Sequence, residues 1–237
     1  MSGVALWEWP IDGPYRITFS GRRGGVSEGP FASLNLGRAL GDDPERVDEN
    51  RRRLCAAVNA PSERLALNFQ RHSSIVNRAR PGVRGTPGDG LWTDEADVPV
   101  LALGADCAVI ALARTNRDRP AVGVLHAGRI GLLAGVVEAG VRALGGRVTG
   151  AIGPSIGPCC YEVGKEVAEP FRARFGSDVV RGRTLDLWTS AERALREAGC
   201  RSIERFDLCT ACNPDLFFSY RRDGKPRGGQ GVIAVVG

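Results

Sequence analysis

The chain is poor in several ligand and contact residues. It has two histidines, one methionine and three tyrosines, and only two lysines against thirty arginines. Two imidazoles are too few for a multicopper centre built by one chain. The methionine is Met1, so the usual axial ligand of a blue-copper site is missing as well. Copper is therefore the less favoured metal, and copper oxidase chemistry by this chain alone is not expected. No segment approaches the ~18–20 apolar residues of a membrane span, and no membrane partner is expected. The N-terminal MSGVALWEWPIDG has neither a basic segment nor a long apolar core. It does not read as an export signal, and the expected compartment is the cytoplasm. There is no basic tract and few aromatics to stack bases. The net charge of +5 comes from arginines scattered among acidic residues, so no nucleic-acid partner is expected. The scarcity of lysine is explained as well by coding bias as by function.

What is present is an ordinary globular composition, 43% hydrophobic and 25% charged. A length of 237 residues suits one large domain or two small ones. With no repeat, low-complexity segment or obvious linker, the chain reads as one domain over 1–237, α/β-type with a mixed sheet, as a monomer or small homo-oligomer. The seven cysteines (55, 107, 159, 160, 200, 209 and 212) are an odd number, read as reduced thiols rather than a disulfide framework.

The stretch around which the rest is organised is Gly104 to Val137, GADCAVIALARTNRDRPAVGVLHAGRIGLLAGVV. Two apolar runs, Ala108–Ala113 and Ala121–Leu125, flank the polar connector Arg114–Pro120. An antiparallel hairpin folded about Asn116–Arg117 sets Cys107 opposite His126, with Cβ atoms roughly 4.5–5.5 Å apart. That is close enough to share a metal or a proton. A buried free thiol beside a hydrogen-bonded imidazole is the plainer reading of the same pair.

In chain order, Tyr15–Phe19 reads as a strand and GDDPERVDENRRRLCAAV as a surface helix. Asp43 is its N-cap, Pro44 takes its first position, and its acidic residues come early and its arginines late. Leu65–Phe69 reads as a strand leading to Gln70-Arg71-His72, with Ser74–Arg78 continuing the sheet. RPGVRGTPGDG, 80–90, reads as a mobile loop and candidate lid, and Val98–Leu103 as the start of the central strands. After His126, helical spacing runs from Leu133 to Leu144. This helix begins two or three residues past His126, so its amides and Arg129 suit an anion such as phosphate, or simply connect strand to helix. Val148–Gly153 reads as a strand, and a helix is expected from Glu162. Another is expected in LDLWTSAERALREAG, from Thr184 or Asp186 to a Gly199 cap. Ile203–Leu208 and Val232–Val236 read as strands, with a loop at PDLFFSYRRDG between them.

His72, Cys107 and His126 each lie where an apolar strand meets polar residues. A Cys/His₂ set gives Zn²⁺ three protein ligands and leaves a fourth position open, the arrangement of catalytic zinc. Because the ligands come from separate strands, spacing alone is a weak signal. Cys209-Thr-Ala-Cys212 is a single C-x-x-C with no second pair, which argues against a zinc ribbon and leaves a redox pair open. Cys159-Cys160 reads as structural.

QRHSSIV (70–76), ADCAVIAL (105–112), VLHAGRIGLLAGV (124–136), GPSIGPCCYEVG (153–164) and FFSYRRDG (217–224) follow one another as in the YfiH/YlmD family. FASLNLG and ENRRRL resemble its N-terminal signature. The resemblance covers about residues 30–235. This family has been called polyphenol oxidase/laccase domain, peptidoglycan editing factor and purine nucleoside phosphorylase. The resemblance implies a single-domain layered α/β/β/α fold, and zinc held by His72, Cys107 and His126, which also form the catalytic set. It implies phosphorolysis of adenosine, inosine and methylthioadenosine, with some adenosine deamination, so the partners are a small-molecule nucleoside and phosphate. Arg51, Arg129 and Arg221 are candidates for phosphate or sugar contacts, and Asn35 and Tyr161 for substrate contacts by motif position. Asp106 is a candidate ligand-orienting residue or base. The alternatives are a cysteine amidohydrolase editing peptidoglycan precursors, with Cys107 as nucleophile and His126 as base, and a catalytically weakened metal-binding protein. Three departures stand out. The family's HAGWRG is His126-Ala127-Gly128-Arg129-Ile130-Gly131 here, its QVHG is QRHS, and its T-G-R after YRRDG is Lys225-Pro226-Arg227-Gly228-Gly229.

Overall fold

The computed structural model describes residues 3–116 and 119–237. Two six-stranded mixed sheets lie face to face. In spatial order the first comprises Leu6–Glu8, Tyr15–Ser20, Gln230–Val236, Val100–Gly104, Ala66–Phe69 and Arg84–Pro87. The second comprises Ile203–Arg205, Val148–Ile152, Ala108–Arg114, Ala121–Ala127, Gly90–Thr93 and Val76–Arg78. Helix α1 (Pro44–Ala57) covers the outer face of the first sheet. Helices α2 (Arg129–Leu133), α3 (Val136–Leu144), α4 (Lys165–Phe175) and α5 (Leu187–Glu197) cover that of the second, and α6 (Tyr220–Asp223) is one short turn. The layers are thus α/β/β/α, as the resemblance implies. Among the described residues no helix is long and apolar enough to cross a membrane.

The central hairpin explains the layering. Its strands are apolar on both faces, as strands with both faces covered must be. Ile110, Leu112 and Leu125 pack with Val136, Leu144 and Leu195 beneath the helices. The alternate residues Val109, Ala111, Val122 and Val124 meet Phe19, Val100 and Val232 between the sheets. Leu54 of α1 and Val58, its C-cap, close a third cluster over Leu67, Leu101 and Ile233. Helix α1 starts as its sequence predicts, with Pro44 first and the Asp43 carboxylate accepting from Glu45 N. Helix α5 is capped by Asp186, which accepts from Thr189 N, and is followed by Gly199 at φ +90°.

Several expectations change. The hairpin is displaced by two residues, so that Val109 faces His126; Arg117, at the expected turn, lies outside the described residues. Residues 80–90 contain the edge strand Arg84–Pro87, parallel to Ala66–Phe69. Val76–Arg78 joins the second sheet rather than extending the first, so the chain crosses between sheets at 70–75. The helix after His126 breaks in two at Gly135, which takes φ +83°. Glu162 bridges Thr184 in extended conformation, and α4 therefore starts at Lys165. The strands at Val100–Gly104 and Ile203–Arg205 are shifted or shorter than read, and Ser219 caps α6 inside the expected loop.

Candidate metal centre and its cavity

The crossover at 70–75 carries His72, whose φ is +60°. Left-handed backbone is uncommon for a residue with a Cβ. Here it is held by one buried carboxylate. Asp89 accepts from the backbone N–H groups of Arg71 (3.1 Å), His72 (2.9 Å) and Ser73 (2.6 Å), and from Ser73 Oγ (2.7 Å). The same carboxylate accepts from His126 Nδ1 at 2.8 Å, and the Asp89 carbonyl accepts from His126 N at 2.7 Å. An ionised carboxylate can only accept, so His126 Nδ1 carries a proton and its Nε2 is left free as a ligand. Asp89 thereby places both histidines. Sequence reasoning missed it, and its one signal is an acidic residue between two glycines at the entry to the strand Gly90–Thr93.

The displaced register keeps Cys107 useful. A shift of two residues preserves which face a side chain takes, so Cys107 reaches His126 diagonally instead of directly. Continuing the pairing sets Gly128 across from Cys107. A Cβ on Gly128 would stand 2.8 Å from Cys107 Sγ and 3.0 Å from His72 Cδ2. The space that glycine leaves is filled by the Cys107 and His72 side chains. Ligand atoms of His72, Cys107 and His126 lie within 4.8 Å of one another, and the two imidazoles stand edge to face at 4.8 Å. Gly128→Ala is expected to weaken metal retention while leaving the circular dichroism spectrum unchanged. Metal content equal to wild type would show that the close approach is unimportant.

The charges in the site oppose one another productively. Burial works against ionisation of Asp89, but the donors from His126, Ser73 and Arg71 outweigh it and hold the carboxyl well below its usual range. Burial also pushes the Cys107 thiol up, yet the His126 charge and hydrogen bonds from both imidazoles bring it down to about 6. His126 is pushed down by burial and lifted to about 9 by Cys107 and Asp89. Thiolate and imidazolium therefore favour each other when no metal separates them. In metal-free protein Cys107 should alkylate with a rate that rises through pH ~6, where an ordinary thiol waits until about 8.5. Peptide mapping after timed alkylation checks this. Asp89→Asn keeps the shape but loses the charge, and metal affinity should fall by about 10–100-fold, the usual worth of an outer partner to a ligating histidine. A competition titration against a chelator measures that loss.

A cavity of about 440 Å³ opens over His72, Cys107 and His126, within the usual range for a small-molecule site. Leu40, Leu67, Phe69 and Leu103 supply apolar wall, and Arg38, Arg51, Arg84 and Arg227 supply the charge. Among the described residues no carboxylate lines it. Arg51 is buried, with Nε donating to the Leu36 carbonyl at 2.9 Å. Burial, helped by Arg84, pulls its guanidinium down to about 10, still charged at neutral pH. Arg227, which sequence reasoning noted only as a departure, has a buried Nε without a partner.

The other candidate residues stand elsewhere. Asn35 is fully buried and turned inward. Its amide donates to Gly37 O and Asp42 Oδ2, and its carbonyl accepts from Gly37 N and Gly229 N, so it braces the loops behind the cavity wall. Arg221 donates to the carbonyls of Cys160 (3.0 Å) and Glu162 (2.8 Å) and lies 5.3 Å from the Tyr161 ring centroid. Burial raises the Tyr161 phenol, assisted by the Cys107 charge, while Arg129 and Arg221 pull it back. Tyr161, Arg129 and Arg221 thus stand outside the cavity lining. Asp106 accepts from Thr210 Oγ1 and from Arg221 N, both at 2.6 Å. It holds a loop in place and makes no hydrogen bond to the histidines.

A family model described as "Multi-copper polyphenol oxidoreductase laccase" matches residues 16–236. A Shigella flexneri protein named purine nucleoside phosphorylase YfiH is 33% identical over 94% of this chain and 95% of its own. The chain belongs to the YfiH/YlmD family. A Pseudomonas aeruginosa relative, also named a purine nucleoside phosphorylase, is 35% identical over 92% of each chain. Among solved structures, YlmD from Geobacillus stearothermophilus superposes with a TM-score of 0.90 at 31% identity, covering 100% of this chain and 97% of that one. A Neisseria meningitidis protein gives 0.89 at 30% identity, over 99% of each. The several copper ions in the family description would need more imidazoles than the two this chain has.

Proposed function

We propose that the protein is a zinc-dependent purine nucleoside phosphorylase acting on adenosine, inosine and methylthioadenosine, with adenosine deamination as a side activity. The observation that carries this reading is a three-ligand His/Cys/His set at the floor of a cavity whose charged lining is all arginine. Such a cavity takes a neutral ring against apolar wall and an anion beside it. His72, Cys107 and His126 would hold the zinc, which supplies Lewis acidity toward the bound substrates. Arg51 and Arg227 hold phosphate toward C1′ of the ribose, and Leu40, Leu67 and Phe69 pack against the base and exclude water. Asp89 keeps His126 aimed at the cavity. In the reaction the C1′–N bond breaks, a C1′–O bond to phosphate forms, and the base leaves carrying on its ring nitrogen the proton that hydrogen phosphate gives up. The names of the relatives support the same activity. The test is release of base from adenosine or inosine with and without phosphate.

A second reading rests on the mutual ionisation of Cys107 and His126. A thiolate beside an imidazolium is the resting state of a cysteine hydrolase, here one acting on a peptidoglycan precursor. Rapid quenching during turnover followed by mass spectrometry separates the two. A Cys107 that only binds metal carries no adduct, whereas an acyl group on it would replace the phosphorylase reading by this one.

A further inference from the structure

Outside the cavity the fold brings together four thiols that sequence spacing leaves as unrelated pairs. Cys159 and Cys160 lie in the turn after Ile156, and Cys209 and Cys212 about fifty residues later. All four Sγ atoms lie within 4.8 Å of one another. Cys212 Sγ is 3.5 Å from that of Cys159 and 3.3 Å from that of Cys160. All four cysteines are free, and these separations are far from the ~2.05 Å of a disulfide. They are near the roughly 3.8 Å edge of a tetrahedron with metal–sulfur bonds of about 2.3 Å. From these positions we infer that Cys159, Cys160, Cys209 and Cys212 form a second, structural metal site, a closed tetrahedral tetrathiolate for zinc.

Two features show that the site is built rather than crowded by chance. First, the two loops are docked by backbone contacts that do not involve sulfur. Ser155 N donates to Leu208 O (3.3 Å) and Thr210 N to Ser155 O (3.1 Å), bridging the segments just ahead of the thiols. Second, Gly157 N donates to Cys209 Sγ at 3.3 Å, a contact that favours a thiolate over a thiol. Cys209 sits in the apolar core and Cys160 packs against it, but Cys159 and Cys212 are exposed, so apolar packing does not explain the approach of those two. Four protein ligands leave no open position, which marks structural rather than catalytic zinc.

The clip has a consequence for the neighbouring wall. The Arg221 guanidinium ties to the carbonyls of Cys160 and Glu162, and the Arg221 N–H ties to Asp106, next to Cys107 in the chain. Zinc in the thiol cluster would therefore fix the loop carrying Tyr161 relative to the first metal centre. This inference does not depend on the nucleoside reading.

The test is elemental analysis of full-length protein purified with reductant and without chelator. Zinc content of Cys159→Ser/Cys212→Ser should be about one equivalent per chain below wild type. His72→Ala/His126→Ala should keep that equivalent, and when reconstituted with cobalt(II) should show the strong sulfur-to-cobalt charge-transfer absorption of a tetrahedral all-sulfur site. The exposed positions of Cys159 and Cys212 make serine tolerable, and circular dichroism checks folding. Should the serine variant fail to fold, mercurial titration of wild type reports independently: zinc should be released in step with modification of these four thiols. Unchanged zinc content in a folded serine variant would overturn the inference. So would absence of the cobalt band, or a disulfide joining the two loops in metal-free protein prepared with reductant. Loss of zinc from the histidine variant only, with no effect of the serines, would leave the first site standing and remove the second.

Discussion

His126→Ala is expected to yield a folded protein without metal in the cavity site and with nucleoside activity reduced by at least about 100-fold. The lower bound follows from what an outer partner alone contributes, about 10–100-fold, since a direct ligand must exceed it. No other imidazole exists to substitute, because the chain has two and His72 is the second. Folding should survive, because the Asp89 carboxylate keeps its donors from Arg71, His72 and Ser73 when the His126 ring is gone. Elemental analysis, set beside the thermal transition, separates metal loss from unfolding. Wild-type metal occupancy in a folded His126→Ala protein, with activity retained, would end the metal reading of the cavity.

Base release from adenosine or inosine should depend on phosphate, rising with its concentration and saturating, with ribose 1-phosphate as the second product. Without phosphate it should fall to background. Deamination of adenosine, where present, should be indifferent to phosphate. The arginines that face the cavity make the sharper test. Arg227 lines the cavity, and a charge-assisted hydrogen bond is worth about 1.5–3 kcal/mol. Arg227→Ala should therefore raise the phosphate KM by roughly 10–100-fold while leaving deamination nearly intact. Arg129→Ala and Arg221→Ala, outside the cavity lining, should affect phosphate KM much less than Arg227→Ala does. Equal base release with and without phosphate would mean hydrolysis, and the phosphorylase assignment would be wrong.

How much was legible depended on the range of each signal. Asp43 with Pro44, Asp186 with Gly199, and the two apolar runs of the hairpin act over a few residues, so their elements could be read directly. His72, Cys107 and His126 were legible as a candidate ligand set through short motifs and through the scarcity of histidine. Their diagonal arrangement was not, because a two-residue slip leaves the apolar alternation unchanged and the turn alone cannot specify it. Asp89 looked like loop because its partners, Arg71 to Ser73 and His126, are 16 to 37 residues away. Choosing Arg51 and Arg227 over Arg129 and Arg221 as cavity arginines needed the docking of loops against a sheet end. Joining Cys159-Cys160 to Cys209 and Cys212 needed the parallel contact between Ser155 and Cys209. By itself the sequence determined the capped helices, the two-sided core strands and the residues of the candidate ligand set, since capping, periodicity and short motifs are local. Tertiary structure alone decided register, the carboxylate beneath the histidines, the arginine lining and the thiol cluster, since each depends on segments that meet only when the two sheets close.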